Sequence, residues 1–102
     1  MISVLAIIET VPGQRAAVLE AFNANVPAVR AEAGCIEYGA AIDAEGVGSF
    51  QAPLGPDTFV VIEKWESLEA LGAHARAPHM AAYAAQTKAF VAKRTLHILS
   101  PA

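Results

Sequence analysis

The chain has 102 residues, of which 55% are hydrophobic and 17% are charged, so we expect one small domain over 1–102 with an unusually apolar surface. Seven basic residues against ten acidic ones leave a net charge of -3, which provides no positive field to attract nucleic acid. No segment approaches the ~20 apolar residues of a membrane-spanning helix, and the single cysteine, Cys35, cannot form an internal disulfide, so we expect a cytoplasmic location.

The first part of the chain predicts a strand, a helix and a second strand. Residues Ile2 to Thr10 are aliphatic and β-branched and stop before a Pro-Gly pair, which predicts a strand. From Gln14 onwards, apolar side chains recur every three or four residues and predict a long amphipathic helix. Pro27 is expected to kink this helix, and Gly34 is expected to cap it. Small side chains make Cys35 to Asp43 a weak strand.

The middle of the chain predicts a long loop followed by the best strand in the sequence. Glycine and proline are frequent over 44–56, which predicts a loop that carries the exposed Phe50. So long a loop in a short domain is expected to act as a lid. Thr58 to Trp65 is rich in β-branched and aromatic residues and predicts a strand. Ser67 is suited to cap a short helix that ends near Arg76.

The last part of the chain predicts a third helix and a closing strand. Pro78 suits the first position of that helix, and Lys93 to Leu99 predicts the strand. The apolar face of the helix is expected to comprise Met80, Tyr83, Thr87, Phe90 and Val91. The resulting order is typical of an α+β, ferredoxin-like βαββαβ domain with a four-stranded antiparallel sheet and its helices on one side.

The second face of this sheet is also predicted to be apolar. A strand with one solvated face alternates apolar and polar residues, but Ile2 to Ile8 and Phe59 to Ile62 are apolar at nearly every position. Four strands of ordinary length present roughly 400 Å² on that face, which is large for an exposed apolar patch. We therefore expect a homodimer that packs sheet against sheet.

Several segments of the chain form a recognisable set: Glu32 to Cys35 with Tyr38, Ile62 to Ser67, and His74 to Met80. They resemble the antibiotic biosynthesis monooxygenase (ABM) superfamily. Ser49 to Gln51 and Ile98 to Pro101 extend the resemblance to its small bacterial quinol monooxygenases. The resemblance implies a dimeric α+β barrel and a cofactor-independent monooxygenase or oxidase that acts on small quinols or phenolic aromatics with molecular oxygen. No glycine-rich cofactor motif is present, and we expect neither cofactor nor metal.

His74 and His79 are the candidate catalytic residues. Oxidation of a quinol by oxygen requires a base that removes a phenolic proton, and histidine is the side chain suited to this near neutral pH. His79 lies in the first turn of its helix, where the helix dipole favours the neutral ring, so we expect it to be the base while His74 orients a quinol oxygen. The alternative is that both only fasten a helix junction. The five-residue spacing of the pair matches no zinc motif.

The resemblance also implies a pocket between the sheet and the helices, with Trp65 stacking on the substrate ring. The alternative for Trp65 is a core position with its indole N–H bonded to one partner. Glu63 is expected to contact a histidine or a substrate hydroxyl, although pairing with Lys93 or Arg94 of the last strand is the favoured alternative because burial of a lone carboxylate is costly.

Three side chains on the predicted sheet-facing side of the last helix complete the candidate substrate-binding set. They are Tyr83, Phe90 and Met80. Packing in the core is the first expectation for such a stripe, and it is compatible with lining a pocket. The hydroxyl gives Tyr83 the strongest case for contact with a substrate.

Two other functions remain open at the level of the sequence. Haem-binding and haem-degrading members of the same superfamily place an amide side chain in the first strand, where this chain has Ala6 and Ile7. The other alternative is a non-catalytic dimeric module that binds an aromatic ligand.

Overall fold

The computed structural model describes residues 1–102 as four strands and three α-helices. The strands are β1 (Ile2–Thr10), β2 (Cys35–Ala41), β3 (Thr58–Trp65) and β4 (Val91–Leu99). The helices are α1 (Arg15–Arg30), α2 (Leu68–Ala75) and α3 (Pro78–Thr87), and a 3-10 turn, Lys88–Phe90, connects α3 to β4. No helix is both long enough and apolar enough to cross a membrane.

The four strands form one antiparallel sheet in the order β2-β3-β1-β4, which confirms the predicted ferredoxin-like α+β fold. All the helices lie on one face, because alternate residues of the central strands are buried there. On β1 these include Val4 and Ile8, and on β3 they include Phe59 and Trp65. The largest fully enclosed side chains of this core are Trp65, Phe22 and Phe59.

Local signals placed several elements correctly. The predicted bounds of β1 and β3 are confirmed. The Ser67 hydroxyl oxygen accepts a hydrogen bond from the backbone N–H of Ala70 at 3.1 Å, so it caps α2 as expected. Pro78 stands at the start of α3, where its missing N–H has no helical partner to lose.

The end of α3 differs from the prediction. The helix stops at Thr87, Phe90 belongs to the 3-10 turn, and Val91 is already the first residue of β4. Val91 pairs with Thr10 of β1, and the Phe90 carbonyl accepts a hydrogen bond from the N–H of Val11 at 2.9 Å. Pairing of Val91 with β1 therefore ends the helix, although the helical spacing of apolar residues continues past Thr87 in the sequence.

The prediction that Gly34 caps α1 is wrong. The helix continues past Pro27 to Arg30, and Ala31 is its C-cap. Gly34 instead adopts a left-handed φ of 84° in the turn before β2. A Cβ at Gly34 would lie 2.5 Å from the Cβ of Ala70, so the turn and α2 approach more closely than any side chain would permit.

The face of the sheet away from the helices is covered by no other element of the chain. We call it the open face; its central residues are Leu5, Ile7, Val60 and Ile62. Leu5 is 38% exposed and Ile62 37% exposed, although both lie on the innermost strands. The apolar second face predicted from the sequence is therefore present and uncovered within one chain.

The segment between β2 and β3, residues 42–57, is a loop, as predicted. The Asp43 carboxylate accepts hydrogen bonds from the N–H groups of Leu54 and Gly55 at 2.8 and 2.9 Å. These bonds hold the pKa of Asp43 below its usual value. Phe50 at the tip is 87% exposed.

Candidate active site

A cavity of about 590 Å³ lies between the helices and the β1–β4 side of the sheet. Eleven of its sixteen lining residues are hydrophobic, a composition and size typical of a site for a small organic ligand. The polar side chains in its wall are Glu63, His74, Thr87, Lys88 and Arg94. No residue of the 42–57 loop lines it, so the expected lid does not lie over the cavity of its own chain.

One carboxylate joins the two histidines of the site. Oε2 of Glu32, in the turn after α1, lies 2.9 Å from Nδ1 of His74 and 3.2 Å from Nε2 of His79. His74 is only 5% exposed. The chain order explains the meeting, because His74 ends α2 and His79 begins α3, and the turn that carries Glu32 is held at the end of β3 by the hydrogen bond from the Glu66 N–H to the Gly34 carbonyl.

The hydrogen bond to Glu32 determines the proton-accepting atom of His74. An ionised carboxylate only accepts hydrogen bonds, so Nδ1 of His74 carries the proton that it donates to Glu32. In the neutral ring the lone pair is then on Nε2. This atom lies on the side of Glu63, 3.9 Å from its Oε1, and both residues line the cavity.

Glu63 is buried without forming the predicted ion pair. Its Oε1 accepts a hydrogen bond from the indole N–H of Trp65 at 2.9 Å, and no ion pair with Lys93 or Arg94 forms. The reason is the strand order, since β1 separates β3 from β4. Burial raises the pKa of Glu63, and the Trp65 hydrogen bond opposes that rise.

Aromatic rings fix the His74 imidazole from two sides. The Trp65 ring centre is 4.6 Å from it with planes inclined by 32°, and the Tyr38 ring meets it edge-on at 5.4 Å. Because these two rings pack against it, the imidazole has little freedom to rotate. Burial raises the pKa of Tyr38 and also that of Tyr83, so both hydroxyls are neutral at ordinary pH.

The structure brings four of the seven predicted site residues to the cavity and leaves three outside its wall. Those in the wall are His74, Glu63, Tyr83 and Met80. Trp65 packs behind His74 and does not line the cavity. Phe90 is 38% exposed in the 3-10 turn and lies outside it.

His79 faces a different space from His74. It lines a small groove of about 200 Å³ between α1 and α3 and is not part of the cavity wall. Its Nδ1 is buried and has no hydrogen-bond partner. The two histidines thus share a carboxylate and do not meet at one pocket mouth.

The candidate set from the sequence omitted several groups that the structure places in or beside the site. Glu32 and Tyr38 stood in the segments that carry the family resemblance but received no role, and Arg94 was considered only as a partner of Glu63. The signal for Glu32 was its position just before Gly34, at the same end of the sheet as Trp65. No group of three or more His, Cys, Asp or Glu side chains is arranged to hold a metal ion.

Comparisons with known proteins agree with this architecture. A family model described as "Antibiotic biosynthesis monooxygenase" matches residues 1–86. The chain is 44% identical over 103 aligned positions to the "Probable quinol monooxygenase YgiN" of Escherichia coli K12, covering 99% of this chain and 98% of that one. Shigella flexneri has a relative of the same name, identity and coverage.

Solved structures show the same fold. Rv0793 from Mycobacterium tuberculosis superimposes with a TM-score of 0.80 at 26% identity, covering 99% of this chain and 94% of that one. The crystal structure of an antibiotic biosynthesis monooxygenase gives a TM-score of 0.82 at 23% identity and covers 100% of this chain and 99% of that one. The second likeness concerns the fold alone.

Proposed function

Because this chain belongs to the antibiotic biosynthesis monooxygenase family, we propose that it is a monooxygenase that oxidises small quinols or related phenolic aromatics with molecular oxygen, without a metal, flavin or haem. The observation that carries the proposal is His74, which lines a largely apolar cavity and whose Nδ1 is held by Glu32, so that Nε2 is left to accept a proton. The 44% identity to a probable quinol monooxygenase supports the choice of substrate class.

The proposed reaction needs no external electron donor. A quinol and one molecule of oxygen give a hydroxyquinone and water: one oxygen atom enters the ring, the other leaves as water, and the quinol supplies all four electrons. Loss of a phenolic proton makes the ring a strong one-electron donor, so that it reduces oxygen to superoxide. Recombination of this radical pair forms a ring hydroperoxide, which loses water.

His74 is the proposed base, and this assignment exchanges the roles expected for the two histidines. His74 lines the large cavity, whereas His79 does not. When Nε2 takes the phenolic proton, the imidazolium is stabilised by Glu32 on one side and by Glu63 on the other. The proton returns when the hydroperoxide loses water.

The remaining members of the site bind and orient the ring in this proposal. Tyr83 and Met80 lie in the cavity wall with Leu71 and Leu96, and they provide apolar contact and one hydroxyl near the substrate. Trp65 and Glu63 act together, since the indole N–H fixes the Glu63 carboxylate beside His74. His79 positions Glu32 from the side of the groove.

We also propose that the functional unit is a homodimer of single-domain chains, located in the cytoplasm. The open face supports the dimer, because a second copy of the same face would remove its aliphatic centre from water. The one cysteine, Cys35, is unpaired, and an unpaired thiol is compatible with a reducing compartment.

The test of the proposed function is oxygen uptake with a series of simple quinols, measured with chelator-treated protein and corrected for the protein-free rate. We expect uptake above autoxidation, incorporation of labelled oxygen into the product, and a fall of about a hundredfold or more in His74→Gln. Peroxide release without ring oxygenation would indicate an oxidase. Uptake equal to the protein-free rate for every quinol would overturn the proposal and favour a binding module, and a Soret shift with added haem would favour the haem alternative.

A further inference from the structure

We propose that the cavity takes phenols that carry an acidic substituent, which Arg94 and Lys88 bind at the end of the cavity opposite His74. The inference deepens the proposed function, since it rests on the same cavity and names the substrate class. It concerns where the negative charge of a ligand is held.

The strand register separates the two ends of the cavity. Glu63, beside His74, pairs across the sheet with Val4, whereas Arg94 pairs with Ile8. Val4 and Ile8 both line the cavity. Val4 and Ile8 are four positions apart on β1, which corresponds to about 13 Å along the strand. The main-chain positions of Glu63 and Arg94 therefore lie toward opposite ends of the cavity wall.

The cationic end has no carboxylate of its own. The chain has few ion pairs. Lys64 pairs with Glu37, His74 lies beside Glu32 and Glu63, and His79 lies beside Glu32. Neither Arg94 nor Lys88 belongs to any of them, although both line the cavity. Two cations in one wall without an acidic partner favour a negatively charged ligand.

Arg94 is solvent-exposed, and its charge still reaches groups inside the cavity. It opposes the effect of burial on the pKa of Tyr83 and on that of Glu63. Both of those residues line the same space. A planar guanidinium also matches a carboxylate or sulfonate with two parallel hydrogen bonds.

The wall between the two ends is apolar. It includes Met80, Ala84, Val91 and Leu96. Such a wall suits an aromatic ring system and provides no partner for a polar group in the middle of the ligand. The ligand that fits all three parts has a phenolic hydroxyl at one end, fused or linked rings in the middle and an acid at the other end.

The test uses two probes that oxygen does not readily oxidise: a naphthoic acid with its hydroxyl on the far ring, and the methyl ester of the same compound. Binding is measured by naphthol fluorescence and by calorimetry. We expect the acid to bind about tenfold more tightly than the ester, as for one charge-assisted hydrogen bond. The preference should weaken as salt concentration rises.

Charge-removing variants locate the acid. Arg94→Gln is expected to abolish the preference for the acid and leave ester binding unchanged, and Lys88→Gln is expected to reduce it. Arg76→Gln is the matched control, because Arg76 is exposed at the end of α2 and does not line the cavity. This control should keep the full preference.

Equal binding of acid and ester to the unchanged protein, or binding of neither, would overturn the inference. A preference that survives Arg94→Gln and Lys88→Gln together would also overturn it. Oxygen uptake with uncharged quinols is recorded on the same preparation. Uptake without a preference for acids means that the inference is wrong while the proposed function stands, and a preference without uptake means the reverse.

Discussion

In the proposed function, Glu32 is the residue on which the chemistry of the site depends, although it is not itself part of the cavity wall. A single oxygen, Oε2, serves both His74 and His79. It sets the tautomer of His74 and balances the positive charge that forms when the ring accepts a proton. In this account Glu32 is a positioning residue, and its loss affects turnover more than binding.

The first prediction concerns Glu32→Gln. A glutamine can donate a hydrogen bond to Nδ1, which favours the wrong tautomer of His74, and it cannot stabilise an imidazolium. We expect kcat for quinol oxidation to fall about tenfold or more while KM changes little. Glu20→Gln, on the exposed side of α1, is the control and should behave as the unchanged protein. A folded Glu32→Gln protein with unaltered kcat would contradict the assigned role.

The second prediction concerns the pH dependence of stability at Glu63. Burial raises the pKa of Glu63 above the ordinary value of a glutamate, so the folded state favours the protonated form more than the unfolded chain does. That contribution to stability is fully present below about pH 4.5 and is lost as the pH rises through the raised pKa. Glu63→Gln keeps an acceptor for the Trp65 N–H and removes the titration.

The stability of Glu63→Gln relative to the unchanged protein should therefore increase as the pH rises through this window. Urea unfolding at a series of pH values measures the difference. His74 and Glu32 are the nearest other titrating groups, so the same series in the His74→Gln background shows whether they contribute. A difference that is constant with pH would show that the Glu63 pKa is not raised.

At the scale of elements, the close approach of the turn before β2 to α2 holds the site together. Glu32 and Gly34 lie in this turn, and α2 carries Ala70 and His74. The N–H of Glu66 donates to the Gly34 carbonyl at 2.9 Å, which ties the turn to the end of β3. The distance from Glu32 to His74 depends on this packing.

The third prediction is that Gly34→Ala destabilises the protein more than Gly46→Ala does. Both glycines have a left-handed φ, but only Gly34 has a side chain in the way of a new Cβ. Left-handed strain costs about 1–2 kcal/mol at either site, and the collision with Ala70 should add about 1–3 kcal/mol at Gly34. Urea unfolding measures both variants. Equal losses would mean that the approach of α2 is not tight.

The elements that could be predicted from the sequence are those determined by local chemistry. The bounds of β1 and β3, the Ser67 cap and the Pro78 helix start follow from residue types at their own positions. The prediction of where α3 ends was wrong. The positions of Phe90 and Val91 depend on pairing between Val91 and Thr10, which are far apart in the sequence.

The residue types of the candidate site could be predicted from the sequence, but the contacts between its side chains could not. Met80 and Tyr83 reach the cavity wall through the face of α3 and Glu63 through the alternation of β3, both of which are readable from the sequence. His74 and His79 line different spaces, and their relative position depends on where α1 ends, because Glu32 in the turn after α1 contacts both rings. No local pattern carries that information.

At the scale of the whole molecule, the open face is an apolar surface that a single chain leaves exposed to water. Its aliphatic centre lies on β1 and β3, and a polar rim of Glu37 and Lys64, which form an ion pair at 3.4 Å, stands beside it. An apolar centre with a charged rim is the usual anatomy of an interface between subunits.

The fourth prediction is that Ile62→Lys makes the protein monomeric. A lysine at the centre of the open face would place two charges against each other across a two-fold axis. Leu68→Lys is the control, because Leu68 is 63% exposed on α2, in the helical layer. Sedimentation velocity should show a dimer for the unchanged protein and for Leu68→Lys. A monomer in all three samples would contradict the proposed dimer.

The most direct test of the central claim is nuclear magnetic resonance of the three histidine rings, labelled with ¹⁵N, during titration with a phenol that is not oxidised. His74, His79 and His97 are the only histidines, and His97 lies on β4, paired with Leu5, away from the cavity. If His74 is the base, the phenol should cause a large shift at Nε2 of His74, a smaller change at His79 through Glu32, and none at His97. Phenol binding that leaves His74 unchanged, or that moves His97 most, would contradict it.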